Sequence, residues 1–164
     1  MRIYFLLLGA LLASSACAPK SNWKHSQIDG GSNQYSSSRL SYGISNAHNA
    51  LQLEIIHRKQ AYKGYLFVQG RTIPEALDHP KQALISVQIA EDKESYLVTR
   101  YEGGQRLSLP NDLLLKIFQA LEEGQEVILQ ASGYTTTLDP NGFSSLYNKW
   151  KKNPYFHPFI KTSF

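Results

Sequence analysis

Leu84–Leu109 reads LISVQIAEDKESYLVTRYEGGQRLSL, and its periodicity decides the fold. In Leu84 to Ala90, Ile85, Val87 and Ile89 share one face while Ser86 and Gln88 share the other, which is the period-2 pattern of a strand. In Ser95 to Tyr101, Leu97, Thr99 and Tyr101 oppose Tyr96, Val98 and Arg100, so both faces of this arm look partly covered. The charged EDKE of Glu91–Glu94 joins the two arms into a hairpin. EGGQ, Glu102–Gln105, is a second turn whose glycines take positive φ at little cost, and Arg106–Leu109 completes a three-stranded meander.

Beyond Leu109 the period changes. Pro110 stands where a helix begins, and Asn111 and Asp112 supply capping and a negative charge near its positive end. Leu114, Ile117, Phe118 and Leu121 recur at spacings of three and four, one apolar stripe that Leu113 and Leu115 widen. Gly124 closes the helix. Gln125–Ala131 alternates again, and after Ser132-Gly133 the run Tyr134–Leu138 pairs back on it. Asp139 then caps a second helix with Pro140 in its first turn, its stripe being Phe143, Leu146, Tyr147 and Trp150, with Lys149, Lys151 and Lys152 near its end.

Toward the N-terminus, Leu40–Ile44 and Leu51–Arg58 read as strands separated by SNAHNA, a turn-forming composition. Tyr65–Gln69 (YLFVQ) follows as a third strand after the polar KQAYKG, and RTIPEALDHPKQ, Arg71–Gln82, reads as a loop holding one helical turn. The whole pattern predicts a mainly β, α+β fold: an antiparallel β-sandwich or open barrel-like sheet of about 7–8 strands with two short helices, at about 111–123 and 140–151. Residues 18–38 are rich in Ser, Asn, Gln and Gly without a hydrophobic period and are expected to be a tether. Trp23 and Tyr35 are the residues a tether does not require; they read as incidental contacts or as a small binding motif.

The chain opens with MRIYFLLLGALLASSAC, Met1–Cys17: Arg2, an apolar run from Ile3 to Leu12, then small residues up to the one cysteine of the sequence. That order of parts is a secretory signal, and the run is shorter than the roughly 20 residues a spanning helix needs. Ser15-Ala16-Cys17 resembles the end of the bacterial lipoprotein lipobox, although Ser14 stands where that pattern usually has Leu. The resemblance implies diacylation of Cys17, membrane attachment through the lipid, and, with Ala18 rather than Asp after the cysteine, export to the outer membrane facing the periplasm or the cell surface. The alternative is an ordinary signal peptide cut near Ala16 or Ala18. The expected organisation is therefore a signal peptide over 1–16, a lipidated Cys17 with its tether over 17–38, and one β-rich globular domain over 39–164. Over about 45 residues, the order of strand, LP-led helix, Gly, strand and GF-led helix in the closing half also resembles small periplasmic proteins of the invasion-associated locus B type. That implies a β-rich periplasmic domain and no activity, and the chain lacks the family's paired cysteines.

Chemistry is sparse. His25, His48, His57, His79 and His157 are scattered singly without H-x-x-x-H spacing, so each reads as a loop or surface residue and no metal or other cofactor is expected. Glu54 and His57, three apart in a strand, fall on opposite faces. There is no G-x-S-x-G, and Gly30-Gly31 and Gly103-Gly104 read as turns. A formal net charge of +4 without a dense basic stripe gives no sign of nucleic acid. The charges are nevertheless segregated: Arg39, Arg58, Lys59, Lys63 and Arg71 stand against Glu54, while Glu91, Asp92, Glu94, Glu102, Asp112, Glu122, Glu123 and Glu126 cluster later. A basic face of that kind suits anionic head groups or an acidic partner; chance segregation of loop-tip charges is the bland account.

The tail NPYFHPFIKTSF carries Tyr155, Phe156, Phe159, Ile160 and Phe164 among two prolines. These residues either fold back on the domain or anchor a partner. The function expected on these grounds is a non-catalytic binding or accessory role in an envelope assembly, with another envelope protein as partner. The alternative is a hydrolase or inhibitor of envelope polymers whose site residues are dispersed.

Overall fold

The computed structural model describes residues 21–28, 31, 36–43, 51–58 and 61–151. Nine strands form one antiparallel sheet: β1 Trp23–Ile28, β2 Ser37–Tyr42, β3 Leu51–Arg58, β4 Ala61–Val68, β5 Gln82–Ile89, β6 Asp92–Arg100, β7 Arg106–Leu109, β8 Val127–Ala131 and β9 Tyr134–Leu138. Among the described residues two helices join them, α1 Asn111–Glu122 and α2 Phe143–Lys151. The strand order is β1-β2-β3-β4-β7-β6-β5-β8-β9, so the meander of β5–β7 enters reversed and lays β7 beside β4. β3 touches β8 and β9 although β4, β7, β6 and β5 lie between them in the sheet; only a strongly curled sheet brings them together, as accumulated strand twist allows.

The fold is thus α+β, dominated by an antiparallel sheet with two helices as the periodicity indicated, but with nine strands in place of seven or eight. The additional strand is β1, inside the stretch expected to be a tether. Its anchor is Trp23, only 4% exposed. The indole packs, tilted, against Tyr42 at 4.7 Å and Phe143 at 4.8 Å and donates its ring N–H to the Asp139 carbonyl at 2.7 Å. Burying an aromatic ring is worth about 3 kcal/mol, and a paired backbone offsets the ordering of the polar residues that follow. A period test misses such a strand because Trp23 is its one buried residue.

The concave face of the sheet and the two helices make the core. Leu113, Leu114, Ile117, Phe118, Ala120 and Leu121 of α1 are buried, whereas Leu115 is 42% exposed, so it does not widen the stripe: its direction lies off the arc that faces the sheet. Pro110 is itself the N-cap, with ψ at 153° and no side-chain cap. Helix α2 begins at Phe143, three residues later than the sequence suggested. Asp139 instead accepts the Asn141 amide at 2.8 Å, and Gly142 at φ 81° closes a turn before the helix. Phe118, Phe143 and Tyr147 pack within 5.8 Å of one another, and Lys151 ties α2 to α1 through Glu122 at 2.8 Å.

Three local expectations change. The β5–β6 turn is the two residues Ala90-Glu91, Ile89 pairing with Asp92; Ala90 takes φ 51°, and the EDKE residues from Asp92 onward join the ladder. The segment between β4 and β5 holds no helical turn: it buries Ile73 and is pinned by Ile73 N–H to the Gly104 carbonyl at 2.8 Å and by Arg100 Nε to the Ile73 carbonyl at 2.6 Å. His57, expected at the surface, is 2% exposed, stacked on Tyr62 at 4.8 Å, because its alternation with Leu53 and Ile55 puts it on the core face.

Candidate functional site

The convex face of β1–β4 and β7 gathers the chemistry that the core excludes. In β3, Gln52, Glu54 and Ile56 point outward while Leu51, Leu53, Ile55 and His57 are buried. The register sets Arg39 opposite Ile56, Ile56 opposite Lys63 and Arg58 opposite Ala61. It also sets Glu54 opposite Tyr65, Tyr65 opposite Ser108 and Phe67 opposite Arg106. Lys24 of β1 lies opposite Ser41 on the same side. Among the described residues this face carries Lys24, Arg39, Arg58, Lys63 and Arg106 against the single carboxylate of Glu54, which is engaged by Arg39 at 3.1 Å.

Its centre is aromatic. The Arg106 guanidinium carbon stands 3.6 Å from the centre of the Tyr65 ring, 5.1 Å from that of Phe67 and 5.4 Å from that of Tyr101. Tyr65 is itself 6.2 Å from Phe67 and 6.1 Å from Tyr101. A cation over the ring faces of this cluster is held by their quadrupoles. Burial raises the Tyr65 phenol above its ordinary value, and the neighbouring Tyr101 adds to this while Arg106 pulls the other way. The phenol is therefore neutral at physiological pH and leaves the face its positive charge. A hollow of about 480 Å³ opens beside the cluster, lined by Ile56, Arg58, Ala61, Lys63 and Tyr65. A smaller one, about 110 Å³, lies on the other flank between Lys24, Gln52, Glu54 and Phe67.

Arg39, Arg58 and Lys63 are thus brought together as the charge pattern suggested, and Lys24 and Arg106 join them. Arg71 is in the loop after β4 and Lys59 lies outside the described residues. Apart from Glu102 in the β6–β7 turn, the acidic set gathers at the β5–β6 tip and around α1, where Glu94 is paired with Lys116. Hydrogen bonds from Lys116 and then from Tyr96 hold the Glu94 carboxyl below its usual range. The aromatic members were legible in part: Tyr65 and Phe67 alternate with the buried Leu66 and Val68, so two rings on a solvent-facing side were the signal. That Arg106 sits between them depends on β7 lying next to β4.

The histidines among the described residues are not assembled into a site. His25 is on β1 with Nε2 2.9 Å from Ser38 Oγ, but that serine is 1% exposed and out of reach of a substrate. His57 is in the core, and His79 is on the exposed loop after Pro74. No group of three or more potential metal ligands occurs among the described residues. Cys17, the proposed lipidation site, lies outside the described residues, as do Tyr35, His48, His157 and the tail residues Tyr155, Phe156, Phe159, Ile160 and Phe164.

The expected localisation, a lipid-anchored protein exported to the outer membrane, is corrected: among the described residues no helix is long and apolar enough to cross a membrane, and they carry no lipid-anchor feature. Set against protein-family models, curated proteins and solved structures, the chain finds no match in any of the three, so neither resemblance gains support from them.

Proposed function

We propose that this protein is a non-catalytic binding module whose convex face of β1–β4 and β7 holds an acidic segment of a partner protein. The observation that carries the reading is the charge imbalance of that face, Lys24, Arg39, Arg58, Lys63 and Arg106 against Glu54, around the rings of Tyr65, Phe67 and Tyr101. Like-signed charge on one surface accelerates encounter with an opposite partner and selects against basic ones. Arginine and tyrosine are also the side chains that most often concentrate binding energy. The reading takes the curled sheet as an open, barrel-like platform, supported by the contact of β3 with β8 and β9.

The test uses a fluorescein-labelled oligoglutamate and the double variant Arg58→Glu with Lys63→Glu, two exposed residues beside the larger hollow. Binding is expected to weaken with added salt and to fall at least about tenfold in the variant, since buried or clustered charge contacts reach that size. The equal charge change Lys93→Glu with Lys149→Glu, away from the face, is the control. Binding that ignores salt, or that falls as far in the control as in the variant, refutes the proposal.

A further inference from the structure

Among the arginines of the structure, Arg39 has Glu54 at 3.1 Å and Arg100 has Glu75 at 3.6 Å. Arg106 differs. Among the described residues no carboxylate lies within ion-pair distance of it, and its Nε, shielded from solvent, has no hydrogen-bond partner. Among the described residues its charge is met by π-faces. At 3.6 Å from the Tyr65 ring centre the guanidinium is stacked face to face, because an edge-on approach would place a nitrogen between carbon and ring. Stacking directs the in-plane N–H groups away from the Tyr65 ring, with the Phe67 and Tyr101 rings 5.1 Å and 5.4 Å from the guanidinium carbon.

From this geometry we propose that Arg106 is the anion-reading residue of the convex face, taking one carboxylate of the partner through two parallel N–H···O bonds. The inference deepens the function proposed above and rests on it. A flat cation held by rings rather than by a carboxylate has no internal salt bridge to break when the ligand arrives. Its remaining donors form a fork that matches a planar carboxylate, which a lysine ammonium does not. Lys63 and Arg58, both exposed, supply general attraction; Arg106 supplies orientation.

The experiment compares Arg106→Lys with the unchanged chain in binding fluorescein-labelled oligoglutamate, and follows the Arg106 side-chain N–H signals by NMR during the titration. The lysine variant keeps the charge and loses the fork, so a loss of about tenfold or more is expected, the size of a charged hydrogen-bond pair. The Arg106 signals are expected to shift with oligoglutamate and to move less with inorganic phosphate at equal concentration, because the fork accepts either anion but phosphate does not span to Arg58 and Lys63. Tyr101→Leu, which removes one wall at a 40% exposed position without changing charge, should weaken binding several-fold and serves if Arg106→Lys does not fold.

Unaltered affinity in Arg106→Lys, or unmoved Arg106 signals while oligoglutamate binds, overturns the role of Arg106 and leaves the docking face standing. Equal shifts with phosphate overturn the carboxylate assignment. Absence of any oligoglutamate binding by the unchanged chain overturns the face and the inference together.

Discussion

Gly64 is where the helix meets the sheet, and Gly64→Ala tests that packing. A Cβ at this position would lie 2.7 Å from Leu114 Cδ1 and 2.9 Å from its Cγ, inside any tolerated carbon contact. Leu114 is fully buried and cannot swing aside without displacing its neighbours in α1. Forcing a methyl into a packed core costs about 1–3 kcal/mol. Against this, alanine restricts the unfolded chain more than glycine does, and the backbone at Gly64 is not left-handed, so about 0.4–1 kcal/mol returns. The net expectation is a destabilisation of about 1–2 kcal/mol, or roughly 3–6 °C in Tm. Leu114→Ala alone should cost about 2–5 kcal/mol. In the double variant the new methyl occupies space that the leucine vacates, so the combined cost should fall short of the sum by about 1 kcal/mol. Urea denaturation of the four proteins, read at constant m-value, measures all three quantities. If Gly64→Ala is as stable as the unchanged chain, or if the two costs simply add, α1 does not lie on β4 as described.

Ala90 holds φ 51° in the β5–β6 turn, where glycine avoids a strain of about 1–2 kcal/mol; Ala90→Gly should therefore raise stability by about 0.5 kcal/mol, and a lower Tm would speak against the two-residue turn. Ile117→Ala should cost about 2–5 kcal/mol and Leu115→Ala under about 0.5 kcal/mol, so equal losses in urea denaturation would mean that α1 presents a different face. Burial pushes the Tyr62 phenol up to about 12 from an ordinary 10.0. Because the folded value is the higher one, the stabilisation is whole below pH 10 and is lost as pH rises through about 12. Tyr62→Phe should flatten that alkaline limb in urea midpoints measured from pH 9 upward, and an unchanged limb would place the loss elsewhere.

How much of this was legible depends on whether a feature is local. β3, β7 and β9 have the bounds their alternation gives, and the α1 stripe of Leu114, Ile117, Phe118 and Leu121 is buried as its spacing requires, since burial on one face is written into consecutive residues. β1 was not legible: an edge strand with one buried residue has no period, and its stability comes from Tyr42, Asp139 and Phe143, distant in sequence. Gly64 closes the polar KQAYKG that the sequence places before a strand at Tyr65; in the structure it lies within β4, where the absent side chain admits Leu114. The adjacency of β4 and β7 is a pairing between residues some forty positions apart, so no local pattern announces that Arg106 meets Tyr65 and Phe67.

The run Lys63-Gly64-Tyr65 shows why these features belong together. Successive side chains of a strand point to opposite faces. Gly64 gives its face to the helix, while Lys63 and Tyr65 give theirs to the convex surface. A slip of one residue in the β4 register would push Tyr65 under α1 and turn the backbone of Gly64 outward, losing the core and the aromatic cluster at once. Packing of Leu114 on Gly64 therefore fixes the register on which the Arg106 cluster depends, although the two lie on opposite sides of the sheet.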